Sequence, residues 1–261
     1  MDIFPQHDRR LKAQLVQQLD IKPQMHVLDL GCGRGAALFQ LIDAVTDKGS
    51  VAAIDRDQDS LNFIQAHFSE HLETKTLQTA QVDLGNIPLP FSTDHFDRIL
   101  CHNVIESIID KPALLLECYR ILKPGGKLLL SHHDFDTATF NSKFKSLNRN
   151  LIHIFCDSTK SWQDTSDGQI GRKLAQVIRT SQFKTPLQQE TILIQENSFD
   201  PDGYGYLFCS WVSDNAQNSS DVSSTALDAW SIDLAEKASN GEYYFSISVM
   251  CVLAQKPVHT N

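Results

Sequence analysis

Three glycines at alternate positions, Gly31, Gly33 and Gly35, follow the apolar run Val27-Leu28-Asp29-Leu30. Residues without a Cβ allow a tight turn and a close approach of backbone to a ligand. Val27 to Leu30 reads as a short buried strand, and Ala36 to Ile42 as a helix packed back on it. Strand, glycine turn and helix make half of a nucleotide-binding βαβ unit.

The spacing of Gly31, Gly33 and Ala36 satisfies the loose dinucleotide pattern G-x-G-x-x-G/A. Two details point elsewhere. Gly35 comes one residue early, and Asp29 lies at the strand end beside the turn. A carboxylate there repels a pyrophosphate and suits a ligand carrying an ammonium or sulfonium group. S-adenosylmethionine (SAM) is such a ligand.

The downstream acids fit this choice. Ser50 to Asp55 is a second apolar run closed by Asp55, which can accept both hydroxyls of a ribose. Lys75 to Val82 reads as a third strand, followed by Asp83-Leu84, where a carboxylate and backbone amides can hold an adenine edge. Asp97 to Cys101 is a fourth strand leading into His102-Asn103. Leu114 to Leu122 reads as a helix, broken by Lys123-Pro124-Gly125-Gly126, and Lys127 to Ser131 as a fifth strand.

In this arrangement the chain resembles the class I SAM-dependent methyltransferases, in the small-molecule group that includes the quinone-biosynthesis enzymes. Five blocks in order carry the resemblance: Val27 to Gly35, Ala53 to Arg56, Gln81 to Leu84 with Pro88 to Phe91, Phe96 to Ile105, and Leu122 to Leu130. They span roughly residues 10 to 135. Softer matches lie at Asp167 to Leu174 and Gly241 to Ser246. The resemblance implies a Rossmann-like α/β fold: seven strands, mostly parallel with the last antiparallel, and helices on both faces. It implies cofactor contacts at Asp29, Gly31, Gly33, Gly35, Asp55, Arg56, Asp83, Leu84, His102 and Asn103.

Elements beyond the fifth strand are read from periodicity. Leu11, Leu15, Val16 and Leu19 form one stripe of an N-terminal helix expected over the mouth of the cleft. Phe140 to Phe155, Ile170 to Phe183 and Ser223 to Ser239 read as helices. Thr191 to Glu196 and Tyr243 to Ala254 read as strands. Cys156 to Gly168 and Ser213 to Ser224 read as loops. The expected organisation is one methyltransferase domain, with a SAM-binding core (1–133), a substrate cover with C-terminal helices (134–240) and a final strand (241–256).

The net charge of −9 disfavours a broad nucleic-acid surface. No apolar run reaches the ~20 residues of a membrane span. The N-terminus lacks the pattern of a signal peptide, so a cytoplasmic protein is expected. The six cysteines form no C-x-x-C pair, no metal site is expected, and buried thiols are the simplest reading. Cys156 and Cys209 leave open the thiol-dependent arsenic chemistry of some relatives.

The reaction implied is in-line displacement, in which a nucleophile of a small-molecule acceptor attacks the SAM methyl carbon. The protein contributes alignment and exclusion of water. His132 and His133, expected on the rim beside Ser131 and Asp134, are the candidate bases for an acceptor that must lose a proton. Neighbours on a strand face opposite ways, so at most one should meet the pocket. Arg172 reads as structural, pairing with an acid near Asp167. The alternatives are an NAD(P)-linked oxidoreductase, for which no Tyr-x-x-x-Lys pair is found, and a non-catalytic SAM-binding protein.

Overall fold

The computed structural model describes residues 3–46, 48–160, 163–217 and 222–258. Its centre is a seven-stranded sheet. The strands are β1 (His26–Leu30), β2 (Ser50–Asp55), β3 (Leu77–Gln81), β4 (Phe96–His102), β5 (Leu122–Phe140), β6 (Pro186–Glu196) and β7 (Phe245–Gln255). Their order is β3-β2-β1-β4-β5-β7-β6. The pairs from β3 to β5 are parallel, and β7 runs antiparallel to both neighbours. β1 and β4 are buried along most of their length, as strands covered on both faces must be.

Helices α1 (Gln6–Gln18), α2 (Leu38–Val45) and α3 (Gln58–His67) pack on one face, with the short α4 (Ser69–Glu73) beside them. α5 (Lys111–Ile121) and α7 (Ile170–Arg179) pack on the other. Local sequence explains the placement. α2 buries Leu38, Leu41, Ile42 and Val45, a single helical stripe. Asp57 and Asp110 cap α3 and α5 by accepting the backbone N–H groups of Ser60 and Ala113. The buried Arg98 on β4 donates to Leu19 O at 2.5 Å and Asp20 O at 3.1 Å, which satisfies carbonyls at the end of α1 and ties that helix to the sheet.

A third apolar cluster joins the far ends of β5 and β7 to α6 (Lys145–Asp157), α8 (Tyr204–Gln217) and α9 (Ser224–Ser239). Here the structure corrects three expectations. The fifth strand continues past Ser131 to Phe140, so Phe140 is strand and the helix starts at Lys145. The extension finds a partner in β7, with Thr139 opposite Ser246 and Phe140 opposite Phe245 beyond a register shift. Residues 213–217 belong to α8 and not to a loop, because the buried Ala216 anchors the last turn of a stripe with Tyr204, Phe208 and Val212. The rest of that expected loop includes 218–221, which lie outside the described residues. Among the described residues no helix is long and apolar enough to cross a membrane.

Candidate functional site

β2 and β4 flank β1 on opposite sides, so strand order reverses there, and the crevice beyond the strand ends is the expected ligand position. The glycine turn borders it. Gly31 N–H and Cys32 N–H both donate to Ile54 O, at 2.9 and 3.0 Å, hooking the turn over the end of β2. Gly31 has φ +74°, and a Cβ there would lie 2.4 Å from Val104 Cγ2. Only glycine serves both the conformation and the close packing.

Asp55 reinforces the turn. Its carboxylate accepts Gly33 N–H at 2.7 Å through Oδ2 and Asp57 N–H at 2.9 Å through Oδ1. Two further lone-pair positions remain available. Asp83 closes the next turn, accepting Gly85 N–H at 2.9 Å and Asn86 Nδ2 at 3.2 Å.

These groups line a cavity of about 720 Å³, within the range of small-molecule sites. Of the residues expected to touch a cofactor, Gly31, Gly33, Asp55, Arg56, Asp83, Leu84 and Asn103 line it. Asp29, Gly35 and His102 stand behind this surface, as do His132 and His133. Asp29 is buried, and burial, with Asp55 adding and Lys12 opposing, pushes its carboxyl up to about 7. Gly35 packs under Leu38 and Ile64.

The two histidines are not on a rim. His132 and His133 are 0% and 2% exposed. His132 Nδ1 lies 2.5 Å from His133 O, so that nitrogen donates. Its Nε2 is 3.0 Å from Glu106 Oε2, although neither atom has a well-aligned hydrogen bond. The His133 ring stacks on Tyr204, centroids 4.8 Å apart, and its Nδ1 lies 2.9 Å from Asn103 Nδ2. Burial, then the charges of His132, Lys12 and His7, holds His133 well below the usual imidazole range. The expectation that the pair sits on the rim, with at most one ring meeting the pocket, is corrected: neither lines the cavity, and both are interior, each engaged by a neighbour.

Glu106, which the sequence reading passed over, does line the cavity. Burial opposes its ionisation, but His132, its own backbone and Gln163 outweigh that and hold the carboxyl below its ordinary range. The only signal was position, three residues beyond Asn103 at the end of a central strand. Asp110 and Asp164 also line the cavity. Asp164, in the polar segment after α6, accepts Arg56 Nη1 at 2.7 Å. Arg172 pairs with Asp134 and Asp136, while Lys173 takes Asp167.

The fold, the glycine turn and the acids at successive strand ends define a class, and a family comparison agrees. Residues 21–197 match the model described as a methyltransferase domain, and the chain belongs to this family, the class I SAM-dependent methyltransferases. A 37.1 kDa transposon-borne protein of Streptomyces fradiae is 30% identical over 68% of this chain and 49% of its own length. The demethylmenaquinone methyltransferase of Lactococcus lactis subsp. lactis is 28% identical over 61% of this chain and 64% of its own. The chain thus spans about half to two thirds of these curated relatives. Among solved structures, a protein of Bacillus halodurans C-125, described as a methyltransferase candidate, superposes with a TM-score of 0.61 at 18% identity. It covers 95% of this chain and 99% of its own, a likeness of fold.

Proposed function

We propose that this chain binds SAM in the cleft described above and transfers its methyl group to a small-molecule acceptor. The observation that carries the reading is charge. Asp55, Asp83, Glu106, Asp110 and Asp164 line the cavity, against the single guanidinium of Arg56, which already faces Asp164. Such a wall favours a cation and repels the pyrophosphate of a dinucleotide. This weighs against the NAD(P) alternative.

The residues present fit the cofactor. Asp55 retains lone pairs for a ribose, beside a turn in which Gly33 leaves open space. Asp83 and Leu84 stand one strand further along for the adenine, with Arg56, Gly31 and Asn103 completing the wall. When bound, SAM supplies a methyl group on a sulfonium that needs no further activation. The chain's share is to hold both partners in line and exclude water. The helices α6, α8 and α9 and the segment before α7 are the proposed cover on the acceptor side.

Where the acceptor must lose a proton, Glu106 is the group placed to receive it, with His132 at its back. The histidine pair acts from behind the wall. The relatives' quinone acceptor is one candidate chemistry for this cleft, among neutral acceptors generally.

Calorimetric titration with SAM, S-adenosylhomocysteine and NAD(H) in parallel tests the reading. Micromolar binding of both adenosyl ligands without NAD(H) binding is expected. Binding of NAD(H) alone overturns it.

A further inference from the structure

A smaller cavity, of about 230 Å³, lies between the extension of β5 and α6. It shares no lining residue with the cleft. Its floor is buried, with Ala138 and Phe140 from β5 and Asn148 and Ile152 from α6. Its rim is basic. Lys145, Arg149 and His153 follow one another at four-residue steps along α6, so they stand on a single face of the helix, and all three are exposed.

The charge balance reverses that of the cleft. Among the described residues neither Lys145 nor Arg149 has an ion pair. The one acid in the lining, Asp136, is engaged at both oxygens. Its Oδ2 lies 3.2 Å from Arg172 Nη2 and accepts Gln169 Nε2 at 3.3 Å, and its Oδ1 lies 3.4 Å from His153 Nε2. Two unpaired cations thus face one carboxylate that three neighbours already hold.

The floor adds a neutral donor. Trp230 Nε1 can only donate, so the Asn148 atom 3.2 Å from it is the oxygen, Oδ1. That contact orients the amide and leaves Nδ2 as the end available to the cavity that Asn148 lines. Asn148 is 7% exposed, and its Nδ2 has no hydrogen-bond partner among the described residues. A buried donor without an acceptor is destabilising unless a ligand supplies one.

A guanidinium fork, an ammonium and an amide NH₂ around one small space suit an oxyanion. A carboxylate brings two oxygens in one plane, whereas a phosphate ester brings three in a tetrahedral array. The volume is below the roughly 300–1,000 Å³ of sites that enclose a whole ligand, so it fits a head group whose remainder reaches solvent. We propose that this pocket is a second binding site, for a phosphomonoester. Arg149 and Lys145 hold its charge, and Asn148 Nδ2 donates from the floor. Nothing in this pocket depends on the SAM reading.

Calorimetry at constant ionic strength tests it, with glycerol 3-phosphate as probe and acetate as the planar control. The proteins are wild type, Arg149→Gln, Lys145→Gln, Asn148→Asp and Arg179→Gln. Wild type is expected to bind the ester in preference to acetate. Arg149→Gln should weaken the ester tenfold or more, and Lys145→Gln severalfold. Asn148→Asp keeps an oxygen for Trp230 and turns a second oxygen on the ligand, so binding should be lost while a thermal melt shows the fold intact. If that variant unfolds, the two exposed substitutions still decide. Arg179→Gln removes an exposed cation outside the pocket and should stay within twofold. Saturating S-adenosylhomocysteine should leave the ester's affinity unchanged. Competition by phosphatidic acid vesicles, with none by phosphatidylcholine vesicles, marks a lipid head as the natural source, and no competition by either marks a soluble ester. Wild type that does not bind the ester overturns the proposal. So do equal affinities for ester and acetate, a loss in Arg149→Gln that Arg179→Gln matches, and displacement of the ester by S-adenosylhomocysteine.

Discussion

Asp55 Oδ2 accepts the backbone N–H of Gly33 at 2.7 Å, so the acid closing the second strand also shapes the glycine turn after the first. One side chain thereby fixes the turn and presents its remaining lone pairs to the cleft. Asp55→Ala removes both. Affinity for SAM is expected to fall tenfold or more, the scale of lost charge-assisted hydrogen bonds. Asp55→Asn keeps one acceptor oxygen for Gly33 and should lose less stability than Asp55→Ala while losing similar affinity. Calorimetry and thermal melts on the two variants check this. SAM affinity equal to wild type in Asp55→Ala removes the residue from the site.

Gly31 and Val104 meet across the mouths of β1 and β4. Gly31→Ala places a Cβ 2.4 Å from Val104 Cγ2 and forces alanine to φ +74°. The combined clash and strain should cost about 2–4 kcal/mol. Val104→Ala removes the struck methyl, so the double variant should recover the steric part and keep the conformational part. Chemical denaturation of the two single variants and the double variant measures the coupling. Strict additivity would refute the contact.

Asp29 makes stability and binding depend on pH in opposite senses. Its carboxyl is pushed up to about 7 in the fold, by burial and by Asp55, with Lys12 opposing. An unfolded aspartate titrates near 3.9. Between those values the native state holds the extra proton, so stability falls as pH rises from about 4 to about 7 and flattens above. The slope is at most about 1.4 kcal/mol per unit. A cationic ligand prefers the ionised form, so SAM affinity should rise with pH through the same window. Asp29→Asn should flatten both profiles. A SAM affinity that is level from pH 5.5 to 8 in wild type would count against Asp29 as a partner of the ligand's positive charge.

The cofactor half was legible because its signals are local. The Val27–Leu30 run leads straight into the glycine turn and the β2 run closes on Asp55, and Ser50–Asp55 has the bounds read from the sequence. What failed was nonlocal. Nothing in His132-His133-Asp134 announces that the strand continues, because Asp134 becomes tolerable only through a bidentate partner on α7, Arg172. His132 and His133 look like catalytic residues in one dimension. Their burial depends on Tyr204 and Phe135, which stack on His133 from other parts of the chain or further along the strand. Glu106 was missed for the converse reason, since it lies in a 3₁₀ turn, Ile105–Ser107, with no periodic pattern to read. Arg172 was expected to pair with an acid near Asp167, but its partners are Asp134 and Asp136.

Glu106 and the two histidines should separate in kinetics. With an acceptor that loses a proton on methylation, Glu106→Gln should lower turnover about a hundredfold while leaving SAM affinity within a few fold. His132→Gln should show a smaller loss, because it acts through Glu106. A thiolate acceptor carries no such proton and should be turned over by Glu106→Gln at close to the wild-type rate. Stopped reactions quantified by S-adenosylhomocysteine release give the comparison. Equal losses for both acceptor types would assign Glu106 to shape and not to proton transfer.

Arg172 holds the long fifth strand to α7. Its Nε and Nη2 donate to the two Asp134 oxygens at 2.6 and 2.7 Å, and the Asp134 side chain is 1% exposed. Arg172→Ala leaves that carboxylate buried without its partner, an arrangement that costs about 3 kcal/mol. Neutralising the stranded acid should return much of the loss, so Arg172→Ala with Asp134→Asn should be more stable than Arg172→Ala alone. Arg179→Ala, an exposed position at the end of the same helix, should stay within about 0.5 kcal/mol of wild type. Denaturation midpoints for the four proteins decide the matter. If Arg172→Ala matches Arg179→Ala, the pair does not secure the strand, and the extension to Phe140 rests on its β7 partners alone.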